Sequence, residues 1–333
     1  MKDKWRIPTE SDHYSNGRFH NLIPTTTLAK GTSMPKVIAE RFKRPPSVIP
    51  SHAIPSVKTD LRSLDAGTPT IVWFGHSSYL IVCKGIRILV DPVFSNYASP
   101  IPGFVKAFNG SNVYSVNDMP DIDYLVITHN HYDHLDRKTL AALLPRVKHV
   151  YTSMGVAKDL PVIPSPPGIT EMDWWEQETL QDGIALMATP ARHFSGRSLV
   201  QNRSLWSSFV LELFGSKIFI GGDSGYGPHF KQIGEKTGGF DLALLECGQY
   251  NVAWHDIHLL PEETARAAVD LKAKVLIPVH WAKFALANHP WNEPPQRVSA
   301  GAKELGIPLV IPMIGQPVTV GEKFFGENWW ETP

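Results

Sequence analysis

Cysteine is almost missing from this chain: Cys83 and Cys247 are the two among 333 residues. Two thiols cannot build a disulfide framework, and neither stands at a spacing that would hold zinc through sulfur. Both fall in apolar runs, so the expectation is a pair of buried free thiols in a reducing, cytoplasmic setting. Net charge is missing as well, because 32 lysines and arginines balance 32 aspartates and glutamates. No global field draws nucleic acid, and no nucleic-acid partner is expected. No stretch approaches the roughly 18 uninterrupted apolar residues of a membrane span. The start, Met1-Lys2-Asp3-Lys4-Trp5-Arg6-Ile7-Pro8, lacks the apolar centre of a secretory signal. Solenoid-period repeats and low-complexity tracts are also absent. What remains, 43% hydrophobic and 19% charged residues, is the composition of an ordinary globular chain able to bury a large core.

Metal-binding side chains, by contrast, are concentrated. The run Thr128-His129-Asn130-His131-Tyr132-Asp133-His134-Leu135-Asp136 places four of them within six residues. It follows the apolar stretch Asp123-Tyr124-Leu125-Val126-Ile127, which reads as a buried strand, so the cluster sits on the loop at the strand's C-terminal end. Alternate residues of an extended loop share a face, so His129 and His131 can grip one cation. The chain then turns into a helix from Arg137, with Asp136 as N-cap, and Asp133 and His134 face a second cation. Imidazole nitrogen and carboxylate oxygen suit zinc and similar divalent ions. A solvated histidine-rich loop is the weaker reading of such spacing.

Two metals need more ligands than one loop supplies. His193 follows Ile184–Pro190, Asp223 follows Ile218–Gly222, and His280 follows Val275–Val279. Each stands just past a strand-like run, where sheet proteins gather their sites. A single histidine in that position is usually structural. Three candidates in the same context beside the main cluster reverse that expectation.

Over residues 60–320 the chain resembles the metallo-β-lactamase fold superfamily of binuclear metallohydrolases. Several stretches resemble the branch of N-acyl-phosphatidylethanolamine phospholipase D and its RomA-like bacterial relatives. They include Tyr14-Ser15-Asn16-Gly17-Arg18-Phe19, Phe74-Gly75-His76-Ser77-Ser78 and Asp91-Pro92-Val93-Phe94-Ser95. Later come Thr189–Arg197, Leu205–Phe209 and, most specific to the branch, His280-Trp281-Ala282-Lys283-Phe284-Ala285-Leu286-Ala287-Asn288. The resemblance implies a first zinc on His129, His131 and His193, and a second on Asp133, His134 and His280, with Asp223 bridging both. Two Zn2+ per chain are expected, with Mn2+ or Fe2+ as alternatives. It also implies an α/β fold of the αββα sandwich type, with the site on one edge between the sheets.

Coarse element signals agree with that architecture. Thr70–Phe74, Ser78–Val82 and Ile86–Val90 are β-rich runs broken by Gly75 and Gly85. Tyr124–Thr128 carries the main motif, and Ala185–Ala188, Trp206–Leu213 and Lys217–Ile220 continue the strand signals. Leu242–Leu245 and Val275–Pro278 are further strands around a helix over Pro261–Leu271, and Gln296–Leu305 is a late helix stopped by Gly306. Residues 1–65, rich in Pro, Ser, Thr and basic residues, read as an extension wrapping a catalytic domain over 66–333.

The chemistry expected is hydrolysis by a water activated between two metals, with Asp133 and His258 as catalytic residues. Zinc β-lactamases of the common type carry a cysteine at the position of Asp223, so the aspartate favours hydrolases of phosphodiesters, lactones and thioesters. The counterpart of His258 in the phospholipase branch lies near the substrate phosphate. The residue before it there is glutamine, whereas this chain has Ile257. Asp91 reads either as an acceptor for a ligand histidine or as a turn cap, and His76 either as a site residue or as part of a glycine turn. Arg192 and Arg197 flank His193 and could meet a phosphate, though surface arginines are commoner. Trp174-Trp175 and Trp329-Trp330 read as packing pairs before lipid contacts. The expected substrate is a small-molecule or lipid phosphodiester, met in the cytoplasm with peripheral membrane contact as an option. A lactonase or other ester hydrolase is the alternative, and a non-catalytic metal-binding scaffold a weaker one.

Overall fold

The computed structural model describes residues 8–331 apart from 102, 198, 199, 325 and 327. Residues 1–7, read above for a signal, lie outside the described residues. The extension opens with a small hairpin, β1 (Tyr14–Ser15) and β2 (Arg18–Phe19), followed by helix α1 (Met34–Phe42). The domain proper begins at β3 (Thr70–Trp73), β4 (Tyr79–Cys83) and β5 (Ile86–Val90), three strands that pair antiparallel in sequence. Next come β6 (Ile122–Ile127), helix α2 (Arg137–Leu143), β7 (Val147–Ser153) and β8 (Gly168–Met172), whose strands pair parallel. The second half holds β9 (Gln177–Gln181), β10 (Ile184–Pro190), β11 (Ser207–Leu213), β12 (Ser216–Ile220), α3 (His229–Thr237), β13 (Leu242–Glu246), α4 (Pro261–Asp270), β14 (Leu276–Val279), α5 (Glu293–Leu305) and β15 (Pro317–Thr319).

These strands form two sheets. One is ordered β15-β3-β4-β5-β6-β7-β8 and the other β14-β13-β12-β11-β10-β9. Strand alternation explains how both faces of the first sheet are buried. Ile71, Trp73, Tyr79, Ile81, Ile88, Val90 and Val126 join the large core shared with the second sheet. Their neighbours Val72, Leu80, Val82, Leu89, Leu125 and Ile127 face the other way, onto Leu140 and Leu143 of α2. On the far side α4 packs on β13, β14, α3 and α5. The result is an αββα sandwich, as the sequence led one to expect. Cys83 and Cys247 are both buried and free.

Element limits shift only slightly from the sequence reading: α5 starts at Glu293 because Pro294 and Pro295 suit its first turn, and it ends at Gly306 in the left-handed region (φ 69°). Strands β7, β8, β9 and β15 and helix α3 add to the elements expected from the sequence. The pairs Trp174-Trp175 and Trp329-Trp330 are packing residues. Trp174 donates its indole N–H to Trp206 O at 2.8 Å, Trp175 carries Lys236 Nζ over its ring at 4.0 Å, and Trp329 stacks on Trp281 at 5.1 Å. The N-terminal segment is hydrogen-bonded to a later loop. Asn21 Nδ2 donates to His193 O at 2.8 Å while its Oδ1 accepts from His193 N at 3.0 Å. Among the described residues no helix is long and apolar enough to cross a membrane.

Candidate metal centre

The site stands where strands of both sheets end. His129, His131, Asp133 and His134 leave the C-terminal end of β6, and Asp136 caps α2 by accepting from Lys138 N and Thr139 N. His193 follows β10, Asp223 follows β12, and His280 follows β14. Tight turns aim several side chains back toward one point. Asp91, His76 and His280 hold left-handed backbone (φ 40°, 54° and 68°), a conformation that costs about 1–3 kcal/mol for a non-glycine residue and persists where its surroundings demand it. Two of these turns clasp each other: His76 N donates to Trp281 O at 2.8 Å, and His280 N to His76 O at 2.9 Å. Gly75 (φ 82°) permits the clasp, since a Cβ there would lie 3.0 Å from Ile314 Cδ1 and 3.3 Å from Lys283 Cβ. Lys283 lies against the same turn, donating to Phe74 O at 3.2 Å, and burial lowers its pKa to about 7.

The structure brings together all seven residues singled out as metal ligands. Their donor atoms, together with those of His76, fall into two groups, each within 4.8 Å: His129, His131, His193 and Asp223 in one, His76, Asp133, His134 and His280 in the other. In the first, His131 Nδ1 lies 2.9 Å from His129 Nε2 and 3.1 Å from His193 Nε2. Three imidazole nitrogens on a tetrahedral ion stand about 3.3 Å apart, from bonds of about 2.0–2.1 Å, so this cradle fits a small divalent cation. Asp223 lies between the groups: Oδ2 is 3.8 Å from His129 Nε2 and 3.7 Å from His193 Nε2, whereas Oδ1 is 3.1 Å from His134 Nε2. That last approach lacks hydrogen-bond geometry, and Asp223 Oδ1, His134 Nε2 and His280 Nε2 are buried polar atoms without a hydrogen-bond partner. Orphaned donor atoms converging in the dry interior are what an ion would satisfy.

Four of the five candidate ligand histidines, all but His131, are held by a second ring nitrogen, the support that metal-binding imidazoles need. Thr128 Oγ1 lies 3.0 Å from His129 Nδ1, Asp91 Oδ2 accepts from His134 Nδ1 at 2.8 Å, and Ile257 O accepts from His193 Nδ1 at 2.8 Å. Ser77 Oγ lies 2.9 Å from His280 Nδ1. Asp91 is therefore a partner of a site histidine and also accepts from Thr128 N and Oγ1. Ile257 is buried and meets His193 through its backbone carbonyl, a contact that does not depend on its side chain.

Electrostatics divide the two groups. Burial pushes the pKa values of His129 and His193 well below the ordinary 6.5 and that of His131 down to about 4, which leaves three neutral imidazoles. In the other group burial opposes every charge, yet Asp223, Asp133 and Asp91 hold the His134 imidazolium well above its usual range. Burial likewise would raise Asp133, but His134 and His76 keep its carboxyl well below the ordinary value. Buried carboxylates at Asp91, Asp133 and Asp223 thus call for positive charge at their centre, met by a protonated His134 or by a metal.

Three residues beside the candidate ligands complete the site. His76 belongs to the cluster: its Nε2 donates to Asp133 Oδ2 at 2.8 Å, and it is fully buried. His258 stacks on His280 and meets His193 edge-on, with ring centroids 5.4 and 5.0 Å apart. Glu246, which the sequence reading passed over, accepts from His258 Nδ1 at 2.7 Å and from Ser224 N at 2.6 Å. Its place at the end of β13 was a usable signal, since the other candidates also stand at strand ends. Together with Asp223 and His280, Glu246 and His258 make a third overlapping group. The two arginines are taken up by the fold. Arg192 pairs with Asp256 at 3.0 Å and donates to Tyr226 O and Pro24 O, whereas Arg197 donates to Leu135 O and Asn130 O of the metal loop.

A family model described as the beta-lactamase superfamily domain matches residues 86–281. An uncharacterised protein of Mycobacterium tuberculosis is 36% identical over 330 residues, spanning 97% of this chain and 88% of that protein. The mitochondrial N-acyl-phosphatidylethanolamine-hydrolyzing phospholipase D of Saccharomyces cerevisiae is 34% identical over 241 residues, 68% of this chain and half of that protein. Among solved structures, a metallo-β-lactamase fold protein of Bacillus subtilis superposes with a TM-score of 0.55 at 14% identity, covering 75% of this chain and 99% of that one. The likeness at that identity is one of fold.

Proposed function

The chain belongs to the beta-lactamase superfamily, in the branch of N-acyl-phosphatidylethanolamine phospholipase D, and from that premise we propose that it is a zinc-dependent binuclear phosphodiesterase. The observation that carries the reading is Asp223 between two clusters of donor atoms, each able to hold one ion. The residues assigned to the first ion are His129, His131 and His193, and those assigned to the second are Asp133, His134 and His280, with Asp223 shared. Bound ions would supply Lewis acidity and a water acidified to near neutrality.

The protein's own groups supply the rest. Asp133, steadied by His76, accepts a hydrogen bond from the attacking water and fixes its lone pair toward the substrate. His258, steadied by Glu246, is held above its ordinary pKa chiefly by that carboxylate, against the opposing effect of burial. Burial raises the Glu246 carboxyl in turn, to about 7; with Glu246 ionised and His258 protonated, Nε2–H can donate to an anionic phosphoryl oxygen. A charged donor at this place suits a phosphodiester better than a neutral lactone or β-lactam. The activity for which the yeast relative is named supports the same substrate class, and an N-acylated glycerophospholipid is its most specific form.

The test compares kcat/KM on an N-acylated phospholipid, a generic phosphodiester, an acyl lactone and a β-lactam, with metal content measured in parallel. A phosphodiester should lead by more than about tenfold, equivalent to about 1.4 kcal/mol in transition-state binding. Chelation should abolish turnover and zinc should restore it. A lactone or β-lactam leading by that margin would refute the phosphodiesterase reading.

A further inference from the structure

The loop carrying His129 and His131 has a second face. Its intervening residues, Asn130 and Tyr132, line a separate surface cavity of about 380 Å³. Four cationic side chains surround that cavity, Arg137, Lys158, Arg197 and Arg203, against one lining carboxylate, Asp159. Asp159 is already engaged, since its Oδ2 accepts from Asn130 Nδ2 at 2.7 Å.

The cations are held in place without being neutralised. Lys158 Nζ donates to Arg203 O at 2.8 Å, and Arg197 Nη1 donates to Leu135 O at 2.7 Å. Those partners are uncharged carbonyls. The Arg197 guanidinium also lies 3.9 Å above the Tyr132 ring, which fixes its plane. Among the described residues, none of the four forms an ion pair with a carboxylate. Burial is the largest influence on Arg197 and Lys158 and lowers both pKa values, because water that would solvate the charges is partly excluded. Asp159, Asp136 and Glu171 act on Arg197 and Lys158 from beyond ion-pair distance, and four cations facing one lining carboxylate leave excess positive charge for water or an anion to meet. Three are guanidinium groups, whose planar forks match phosphoryl oxygens.

We propose that this cavity is an anion site for a phosphate group, separate from the metal centre and on the opposite face of its loop. The same chemistry is offered by a free phosphate or phosphomonoester and by the headgroup of an anionic lipid. The inference does not depend on the reaction proposed above, because it rests on side chains outside the candidate ligand set.

The experiment uses the metal-loaded protein and the double variant Arg137→Gln/Arg203→Gln, whose substituted side chains are exposed. Lys158→Gln is a second variant should the first fail to fold. Inorganic phosphate is titrated calorimetrically at constant ionic strength, and vesicles of phosphatidylglycerol are compared with vesicles of phosphatidylcholine. Saturable phosphate binding weakened at least about tenfold by the substitutions supports the site with a soluble ligand. Preferential binding to phosphatidylglycerol, lost to the same degree without a phosphate response, supports it with a lipid headgroup. Phosphate held at the metals would be insensitive to these substitutions. A response equal in wild type and variants, or no response to either probe, overturns the proposal.

Discussion

On one side of Asp223 the cluster consists of three imidazoles that burial keeps neutral, and His131 opens part of that side to solvent. On the other side lie Asp133, His134, His280 and the added His76, all buried, with Asp91 behind His134. The first half is organised by desolvation; in the second, burial likewise lowers His76 and His280, but His134 is held charged by Asp223, Asp133 and Asp91. The contrast explains why the supporting residues differ. Neutral imidazoles need only a hydroxyl or a carbonyl, such as Thr128 and Ile257, to fix their orientation. The charged half needs a second carboxylate at Asp91 and a donor at His76, because an unpaired buried charge costs several kcal/mol.

The largest expected effect comes from removing the group that both halves share. Asp223→Asn should lower turnover about 10³-fold and leave fewer than two metals per chain, as read by elemental analysis beside kinetics. Two retained metals with turnover within tenfold of wild type would mean that the halves do not share this carboxylate.

Asp133→Asn should break the comparison on one side. It removes charge from the second half alone, so turnover should fall at least about 10²-fold while one metal and the fold, followed by circular dichroism, are kept. Loss of both metals would show that the halves are not separable in this way.

A smaller loss is expected outside the ligand set. Glu246→Gln and His258→Ala should each lower kcat on a phosphodiester by about 10–100-fold with both metals retained. Carboxylic ester hydrolysis should fall less. Equal losses on both substrate types would make the pair structural.

The gentlest probe is pH, and it addresses the neutral half. His131 has its folded pKa lowered to about 4 by burial, against 6.5 for the free imidazole. In that interval the unfolded chain binds more protons than the folded one, so stability should decline as pH falls from 6.5 to about 4 and change no further below that through this group. The full shift corresponds to roughly 3 kcal/mol, an upper bound because His131 is partly exposed. Thermal melts and metal content followed over that range should decline together. A melting temperature flat across the interval would exclude His131 from the neutral set.

The strand runs of the sandwich and the positions of the seven candidate ligands were legible in the chain alone. Both are local signals: apolar runs of strand length, and metal-binding side chains standing just beyond them. His129, His131, Asp133 and His134 were legible because consecutive loop residues carry their spacing with them. The remaining contacts form only on folding, because pairings between distant segments leave no local trace. His76 meets Asp133 across 57 positions, and Asp91 meets His134 across 43. Glu246 looked like an ordinary strand end until the fold set it against His258, and Arg192 and Arg197 looked free until loops gave them partners. Whether Asp91 was a turn cap or a histidine's acceptor could not be settled at the level of its neighbours, since Val90-Asp91-Pro92 is compatible with both. Periodicity places side chains on faces, but only the packing of two sheets brings strand ends together closely enough to decide which charges meet.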